Sequence, residues 1–378
     1  MIRLDEYDPG HYVRQSGYEA FIPTPINRAW TWDDARINTL LEEATRALVE
    51  LDAFSRIVPD VDLFIRLHVV KEASASSRIE GTETEIDEVI RPEEEVVPER
   101  RDDWEEVQNY IQAMNEAIAT LDVLPLSTRL LRQTHRTLMQ GVRGQHKQPG
   151  EYRKSQNWIG GATLEDAAFI PPPHHEVSRL MSDLEKFWHN EEINVPHLVR
   201  IAISHYQFET IHPFLDGNGR IGRLLITLYL MNQGFLRKPS LYLSSYIDQH
   251  RPAYFDALRR VSGSGDMGHW IRFFLVAVRD TARTGSETFE AILALRERIE
   301  KEVLELGQKA ANARRLLTLL YRQPLVRTSD VVDHLEVSHP TAISLLRDFE
   351  RLGLLDETTG NQRYLRYRFS EYLDLFAR

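Results

Sequence analysis

One segment of the sequence, residues 211–223, concentrates residue types that can transfer phosphate-containing groups. It reads Ile-His-Pro-Phe-Leu-Asp-Gly-Asn-Gly-Arg-Ile-Gly-Arg. The turn at 216–219 exposes backbone N–H groups, and the helix that we expect to begin near Arg220 directs its positive end to the same place. Arg220 and Arg223 lie three residues apart, on one side of the first helical turn. This arrangement of N–H donors and guanidinium groups predicts a site for more than one phosphate.

Two further side chains in this segment supply chemistry. Asp216 offers a hard carboxylate oxygen for a magnesium ion that also contacts phosphates. His212, four residues upstream, can accept a proton near neutral pH. An anion site, a metal ligand and a base together predict phosphoryl- or nucleotidyl-transfer chemistry.

The segment also contains the spacing G-x-G-x-x-G, at Gly217, Gly219 and Gly222, which occurs in dinucleotide-binding turns. That motif follows a β-strand and precedes an acidic residue by about 20 positions. Here the preceding residues have helical periodicity, and Tyr242 and its neighbours offer no carboxylate. We therefore reject the dinucleotide-binding interpretation.

Composition limits the class of protein. The chain has 378 residues, 42% of them hydrophobic and 27% charged, which is typical of a globular protein of about two or three domains. Its net charge of −11 does not favour non-specific coating of nucleic acid. Cysteine is absent, which excludes disulfides, thiolate nucleophiles and Cys-ligated zinc. The N-terminal residues lack the apolar core of a signal peptide and no apolar stretch has the length of a membrane span, so we expect a soluble, cytoplasmic protein.

The elements that position the segment are predicted to be mainly helical. Apolar residues recur at helical spacing from about Trp32 to Lys71 and again in 104–121, 127–138, 177–189, 196–210, 221–233 and 270–307. The opening forty residues, rich in proline and glycine, are expected to be irregular. A stretch rich in Ser, Glu and Gly follows at 72–85, and the acidic residues 92–103 are expected to form a solvated loop. Short apolar pieces around Gly160 and Gly161 predict a β-hairpin within 149–173.

The C-terminal part, from about Ala310, has the order helix, helix, helix, hairpin, which indicates a winged helix-turn-helix. Its candidate DNA contacts are Ser338, His339, Thr341, Ser344 and Arg347 on one helix and Arg363, Arg366 and Arg368 on the wing. Acidic residues nearby would repel a DNA backbone: Asp330, Asp333, Glu336, Asp348 and Glu350. DNA binding and a packing or protein-binding role therefore both stay open.

Residues 212–223 resemble the Fic (filamentation induced by cAMP) family, because they match its pattern H-P-F-x-D-G-N-G-R-x-x-R at every position. Residues 205–209 and 149–153 agree as well, and the resemblance extends over residues 1 to about 285. It implies a mainly α fold: a Fic-type helical core with one β-hairpin flap, followed here by the small α+β winged helix-turn-helix.

The resemblance also implies an activity, the transfer of AMP from ATP to a Tyr, Ser or Thr hydroxyl of a target protein or of the enzyme itself. By this resemblance His212 deprotonates the hydroxyl, Asp216 holds Mg²⁺, Phe214 anchors the loop, and the flap at 155–170 pairs with the target. The implied ATP-binding residues are Gly217, Asn218, Gly219, Arg220, Gly222 and Arg223, with Tyr246 and Tyr254 as candidate neighbours of adenine.

Residues 76–81, Ser-Ser-Arg-Ile-Glu-Gly, resemble the family's inhibitory pattern (S/T)-x-x-x-E-(G/N). On a helix Ser76 and Glu80 share one face. The implied mechanism is competition, in which Glu80 pairs with Arg223 and occupies the fork that the γ-phosphate of ATP needs. In some members the same glutamate is thought to activate water and remove AMP, so AMP removal assisted by Glu80 is an alternative.

The chain is predicted to comprise an N-terminal helical region with the inhibitory motif (1–100), the Fic catalytic core (101–285), a linker helix (286–310) and a winged-helix-like module (311–378). Two rival functions remain: a DNA-binding regulator that uses the Fic core as a nucleotide sensor, and transfer of another phosphate-containing group. The partners considered are a hydroxyl-bearing target protein, DNA through the C-terminal module, and a second copy of the chain. No membrane partner is expected.

Overall fold

A computed structural model describes residues 1–57, 60–141, 145–358 and 365–376, and it is mainly helical, as the sequence predicts. The helices within these ranges are α1 Ala35–Ile57, α2 Val61–Ile79, α3 Ile86–Val89, α4 Arg101–Leu121, α5 Thr128–Leu138, α6 His174–His189, α7 His197–Ile211, α8 Asn218–Asn232, α9 Ser244–Gln249, α10 Arg251–Ser264, α11 Met267–Leu304, α12 Ala310–Arg322, α13 Thr328–Leu335, α14 His339–Arg351 and α15 Ser370–Asp374. The strands are β1 Ile2–Arg3, β2 Gly10–Arg14, β3 Glu19–Pro23, β4 Trp30–Thr31, β5 Leu325–Arg327, β6 Asp356–Glu357 and β7 Arg366–Arg368.

Helices α7 and α8 form the centre of the core and flank the loop at 212–217. Almost every residue of α7 is buried, and so is every residue of α8 from Arg220 to Leu230. A helix buried on all sides is held by its neighbours, which here include α6, α10 and α11 around α7 and α4 and α5 around α8. The loop between α7 and α8 is therefore anchored at both ends by buried helices.

The expectation of an irregular N-terminus is wrong. Strands β2 and β3 form an antiparallel hairpin in which Gly10 pairs with Pro23, and β1 pairs in parallel with β4. Ala20 and Phe21 of β3 are buried, and the backbone N–H of Phe21 donates to the carbonyl of Ile170 at 2.9 Å. The proline and glycine residues lie at turns and strand ends of this hairpin, where they are compatible with pairing.

The helical pattern predicted from Trp32 to Lys71 is in fact two helices, and the second continues past it. Helix α1 ends at Ile57, α2 begins at Val61, and the sequence has Pro59 between them. Helix α2 extends to Ile79 because its small residues at 73–77 are buried between neighbouring helices, and this packing outweighs the low helix propensity of serine. Ser76 consequently lies on a helix, and Glu80 is the residue at the C-terminal end of α2.

The flap at 155–170 is a loop joined by a single β-bridge instead of a regular hairpin. Ile159 and Phe169 form this bridge, and their backbone N–H and C=O groups exchange two hydrogen bonds of 2.9 and 3.1 Å. The carboxylate of Asp166 accepts hydrogen bonds from the backbone of Ala162 and Thr163 and so shapes the tip. One antiparallel backbone pairing is thus present within the segment 149–173, where the sequence predicts a β-hairpin.

The C-terminal elements follow the predicted order, with helices α12, α13 and α14 and a three-stranded antiparallel sheet in the order β5-β7-β6. The expected buried stripe of α14 is confirmed: Ala342, Leu345, Leu346 and Phe349. Arg363 lies outside the described residues. Helix α11 is continuous across residue 285, where the sequence interpretation separates the catalytic core from the linker helix. The division of the chain into the regions 1–100, 101–285, 286–310 and 311–378 stays a prediction.

This C-terminal group packs on α2, the helix that ends at Glu80. The ring of Phe64 in α2 lies 5.4 Å from that of Tyr321 and 6.2 Å from that of Tyr372, and His68 contacts Phe376 at 5.0 Å. All of these rings are buried or nearly so. Aromatic contacts of this kind contribute stabilisation beyond the apolar area that they bury.

Arg366 and Arg368 of the wing contact acidic residues of the N-terminal half of the chain. Arg366 of β7 and Arg327 of β5 both form ion pairs with Glu95, and Nε of Arg368 lies 3.0 Å from Oδ2 of Asp87. The side chain of Glu95 is only 18% exposed, so the expectation that residues 92–103 form a solvated loop is wrong at this position. Charge pairing with the sheet holds Glu95 against the protein.

Candidate active site

The loop at 212–217 has an unusual backbone conformation at both ends. His212 ends α7 with φ +50°, in the left-handed region, and Gly217 precedes α8 with φ +75°. The side chain of Asn218 closes the loop, because Oδ1 accepts from the N–H of Phe214 at 2.8 Å and Nδ2 donates to its carbonyl at 2.9 Å. Asn218 is buried and its side chain organises the loop, while its backbone N–H is one of those that the start of α8 leaves without a partner inside the helix.

The imidazole of His212 is held as a neutral base. Its Nδ1 lies 3.2 Å from the carbonyl oxygen of Glu209, and since a carbonyl only accepts, Nδ1 carries the hydrogen. Nε2 therefore keeps its lone pair. Burial lowers the pKa of His212 to about 4, so the ring is neutral at pH 7. A base in this state accepts a proton without first losing one.

Asp216 lies at the mouth of a cavity of about 270 Å³, whose lining includes Glu80, Glu106 and Arg220. Its Oδ1 accepts from the N–H of Gly217 at 2.6 Å, and 46% of its side chain is exposed. Within the described part of the chain, no group of three or more His, Asp or Glu residues forms a metal cage. A single accessible carboxylate beside an anion site fits Mg²⁺, which is commonly held by one or two carboxylates together with substrate phosphates.

Both arginines of the segment are engaged by acidic or hydroxyl groups. Arg220 forms an ion pair with Glu106 of α4. Arg223 is 2% exposed and donates from Nε to Oγ of Ser76 at 2.9 Å, and from Nη2 to the Ser76 carbonyl at 2.9 Å and to Oε1 of Glu80 at 2.7 Å. The structure thus brings Ser76 and Glu80 to Arg223.

The carboxylate of Glu80 also lies over the start of α8. A Cβ placed on Gly219 would be 2.2 Å from Oε1 of Glu80, so only glycine leaves room for this approach. Burial acts to raise the pKa of Glu80, but the charge and hydrogen bond of Arg223 outweigh it, and the pKa lies below its ordinary value. Glu80 therefore places a negative charge where the sequence predicts phosphate.

The two tyrosines proposed as neighbours of adenine differ in their surroundings. Tyr246 of α9 is partly exposed and stacks on His250 with 4.1 Å between ring centroids. Tyr254 of α10 is 1% exposed, and its hydroxyl lies 2.8 Å from Nε2 of His205. Tyr246 retains an accessible face, whereas Tyr254 is a core residue with no face available to a base.

Sequence reasoning missed the role of His135 in α5. Its ring stacks on Phe214 with centroids 3.8 Å apart and an interplanar angle of 6°. Nδ1 accepts from the N–H of Gly150 at 2.8 Å, so Nε2 carries the hydrogen and donates to the carbonyl of Asp216 at 3.0 Å. Phe214 is fully buried, as expected, and His135 is its packing partner. Nothing local in the sequence of α5 indicates this contact, which depends on how α5 meets the loop.

Two residues ahead of and within the flap, Arg153 and Asn157, were also missed as contacts of the loop. Nε of Arg153 donates to the carbonyl of His212 at 2.9 Å, and Nδ2 of Asn157 donates to the carbonyl of Phe214 at 2.8 Å. Arg153 belongs to the stretch 149–153 that supports the family resemblance, which is the one sequence signal that points to it.

Comparison with known proteins agrees with this geometry. Residues 38–119 match the Fic/DOC family N-terminal domain and residues 125–230 match the Fic/DOC family domain. Curated relatives include the protein adenylyltransferase Fic of Culex quinquefasciatus, 35% identical over 160 residues, and that of Aedes aegypti, 33% identical over 160 residues. Each alignment covers 42% of this chain and 27% of the relative, so the chain spans about a quarter of the length of these relatives.

Solved structures share the fold. A Fic family protein from Desulfovibrio desulfuricans G20 superimposes with a TM-score of 0.56 and 24% identity, over 91% of this chain and 98% of that one. Residues 134–508 of Fic-1 from C. elegans superimpose with a TM-score of 0.52 and 20% identity, over 68% of this chain and 74% of that one. None of the helices in the described ranges combines the length and hydropathy of a membrane span. The matches show that residues 38–119 and 125–230 carry the two domains of the Fic/DOC family, with a complete H-P-F-x-D-G-N-G-R-x-x-R segment in the second.

Proposed function

We propose that this protein is an adenylyltransferase that moves AMP from ATP to a hydroxyl side chain of a protein. The observation that carries the proposal is the neutral His212, with Nε2 free, on the loop that joins Asp216 to the start of α8. The names of the curated relatives, which are protein adenylyltransferases, support the same reaction.

In the proposed reaction the target hydroxyl oxygen attacks the α-phosphorus of ATP, and its proton passes to Nε2 of His212. The new P–O bond forms as the bond to pyrophosphate breaks, and pyrophosphate leaves. The N–H groups at the start of α8 and the guanidinium of Arg220 face the developing negative charge. Each of these donors is fixed before the reaction, so little reorganisation is required.

Asp216 is the residue that would hold Mg²⁺, which when bound supplies charge neutralisation at the phosphates. The remaining work falls to the chain itself. Arg223 would bind the outer phosphates once Glu80 leaves it, and Tyr246, whose side chain is partly exposed, is the candidate neighbour of adenine. The target segment would pair with the flap at 155–170.

Glu80 is proposed to act as a brake. Its carboxylate occupies Nη2 of Arg223 and the space above Gly219, so ATP can only bind there in a displaced pose. Ser76 strengthens the brake, because its Oγ and carbonyl oxygen take two further donors of Arg223. Removing the carboxylate frees the one N–H of Arg223 that Glu80 accepts from, while Ser76 still holds the guanidinium in place.

The test is intact mass spectrometry after incubation with ATP and Mg²⁺. The wild type, Glu80→Gly and Glu80→Gly/His212→Ala are compared, with Glu85→Gly as a control for an exposed glutamate near α2. We expect the mass of one AMP to be added to Glu80→Gly only. Equal labelling of wild type and Glu80→Gly would contradict the brake. No labelling of any variant, with or without candidate target proteins, would contradict the transferase and favour a nucleotide sensor.

A further inference from the structure

Arg153 is a buried cation whose side-chain partners are all backbone carbonyls. It is 2% exposed. Nε donates to His212 at 2.9 Å, Nη1 to Ser155 at 3.3 Å, and Nη2 to Pro172 at 2.5 Å and to Ile211 at 3.3 Å. A buried guanidinium normally pairs with a carboxylate, and here carbonyl dipoles take that place.

These carbonyls belong to two separate parts of the active site. Ile211 and His212 end α7, and the backbone N–H of Arg153 also donates to the next carbonyl, that of Pro213, at 2.9 Å. Ser155 is the first residue of the flap, and Pro172 lies two residues beyond its last. One residue therefore joins the backbone around the base to both ends of the segment that is proposed to face the target.

The conformation of His212 requires such support. His212 has φ +50°, and a non-glycine residue with positive φ is strained and persists only where its surroundings hold it. The bonds from Arg153 to the carbonyls on both sides of that φ/ψ pair supply this restraint. Asn157 adds a weaker contact, with Nδ2 at 3.2 Å from the His212 carbonyl.

Arg153 also acts on the charge of the base. Arg153 forms no ion pair with any residue in the described ranges, so no carboxylate neutralises its charge near His212. Burial lowers the pKa of His212 most, and Arg153 lowers it further, whereas the carbonyl of Glu209 and the charges of Glu80 and Asp216 oppose the shift. The cation thus favours the neutral ring.

We propose that Arg153 is a positioning residue for the transfer reaction, which holds His212 in its strained backbone conformation and couples it to the backbone at both ends of the flap. This inference rests on the proposed function. The base and the target-binding segment then move as one unit, so that a hydroxyl presented by the flap meets Nε2 at a fixed position. Geometry of this kind contributes to catalysis through orientation.

The experiment compares Arg153→Gln and Arg153→Lys in the Glu80→Gly protein. The control is Arg200→Lys, because Arg200 is 5% exposed and donates to the carbonyls of Trp188 and Ile193.

We expect Arg153→Gln to lower kcat by about 100-fold with KM for ATP changed less than about threefold. The acid limb of the pH–rate profile of Arg153→Gln should move to higher pH, because the loss of a cation near His212 raises the pKa of that histidine. Arg153→Lys should lower kcat and keep the pH profile, and Arg200→Lys should keep both.

A second measurement does not depend on turnover. NMR titration of ¹⁵N-labelled histidine should show a higher pKa for His212 in Arg153→Gln than in its parent, and an unchanged one in Arg200→Lys. If Arg153→Gln fails to fold, Arg153→Ala is the second variant. Added guanidinium ion should restore part of the activity of Arg153→Ala, and it should not raise the activity of the control Arg200→Ala.

The outcomes separate the two proposals. An unchanged histidine titration with parallel losses of kcat and ATP affinity would overturn the positioning role, as would kcat within about twofold of the parent. An inactive Glu80→Gly parent would instead contradict the proposed function, while the titration would still decide whether Arg153 controls His212.

Discussion

Nη2 of Arg223 donates to Oε1 of Glu80 at 2.7 Å, although 143 residues separate the two in sequence. The pair joins the end of α2 to the second turn of α8, and so connects the two segments that match Fic/DOC domains. Arg223 is buried and Glu80 is 40% exposed. The carboxylate is therefore the more accessible partner, and under the proposed function a nucleotide phosphate would compete with it for the same guanidinium.

Ser76→Ala tests how Arg223 is held. The change removes the hydroxyl that accepts from Nε, and a hydrogen bond to a charged group contributes about 1.5–3 kcal/mol. We expect the rate of self-adenylylation to rise about tenfold, less than in Glu80→Gly, because Glu80 remains. Ser77→Ala is the matched control, since Ser77 is equally buried and its Oγ has no hydrogen-bond partner. Equal rates in the two alanine variants would contradict the assigned contact.

Gly219→Ala tests the close approach at the start of α8. In the Glu80→Gly protein the added methyl group would occupy the position that Glu80 vacates, and we expect ATP affinity to fall at least tenfold by isothermal titration calorimetry. Gly263→Ala is the control, because a Cβ on this helical glycine of α10 meets no atom within 4 Å. Unaltered ATP binding by Gly219→Ala would place the phosphates elsewhere.

The pH dependence of stability follows from buried titratable groups. Burial lowers the pKa of His68 to about 3 and those of His135, His205 and His212 to about 4, so between about pH 6 and 4.5 the unfolded chain binds protons at these four positions that the folded one does not. Burial raises the pKa of Glu72 and of Glu209 to about 7, and these two groups act in the opposite direction. Four histidines less two glutamates leave a difference of about two protons, which predicts that the free energy of unfolding falls by about 2.7 kcal/mol per pH unit as pH decreases from about 5.5 to 4.5.

Urea unfolding at pH 4.5, 5.0 and 5.5 measures this slope. His68→Leu should reduce it by about 1.4 kcal/mol per pH unit, whereas the same change at the exposed His339 should leave it unaltered. A stability that is constant across this range would show that the histidines titrate normally.

Exchange of charges between Arg366 and Glu95 tests the docking of the C-terminal sheet. Each single reversal, Arg366→Glu or Glu95→Arg, places like charges together and should lower the free energy of unfolding by about 2 kcal/mol. The double variant should recover at least about 1 kcal/mol of this loss, as measured by urea unfolding. Arg347→Glu, an exposed change on α14, is the control. Additive effects in the double variant would contradict the pair.

Much of the candidate site was predictable because its parts are local. His212, Asp216 and Arg223 lie within one loop and the first turn of one helix, and short-range backbone geometry alone brings them together. The helical segments were recognised for the same reason, since an amphipathic period is a property of neighbouring residues. The predictions that proved wrong, at the N-terminal hairpin and at the length of α2, concern segments whose structure depends on what packs against them.

By itself the sequence determined the chemistry: a base, a carboxylate, and paired arginines beside a helix start, with Ser76 and Glu80 recognisable through the family pattern. Only the tertiary structure decided which distant groups meet them. It places His135 against Phe214, Arg153 behind His212, and the wing arginines against acidic residues of the N-terminal half. Such contacts depend on how buried helix faces fit together across the whole core, and no spacing along the chain encodes that fit.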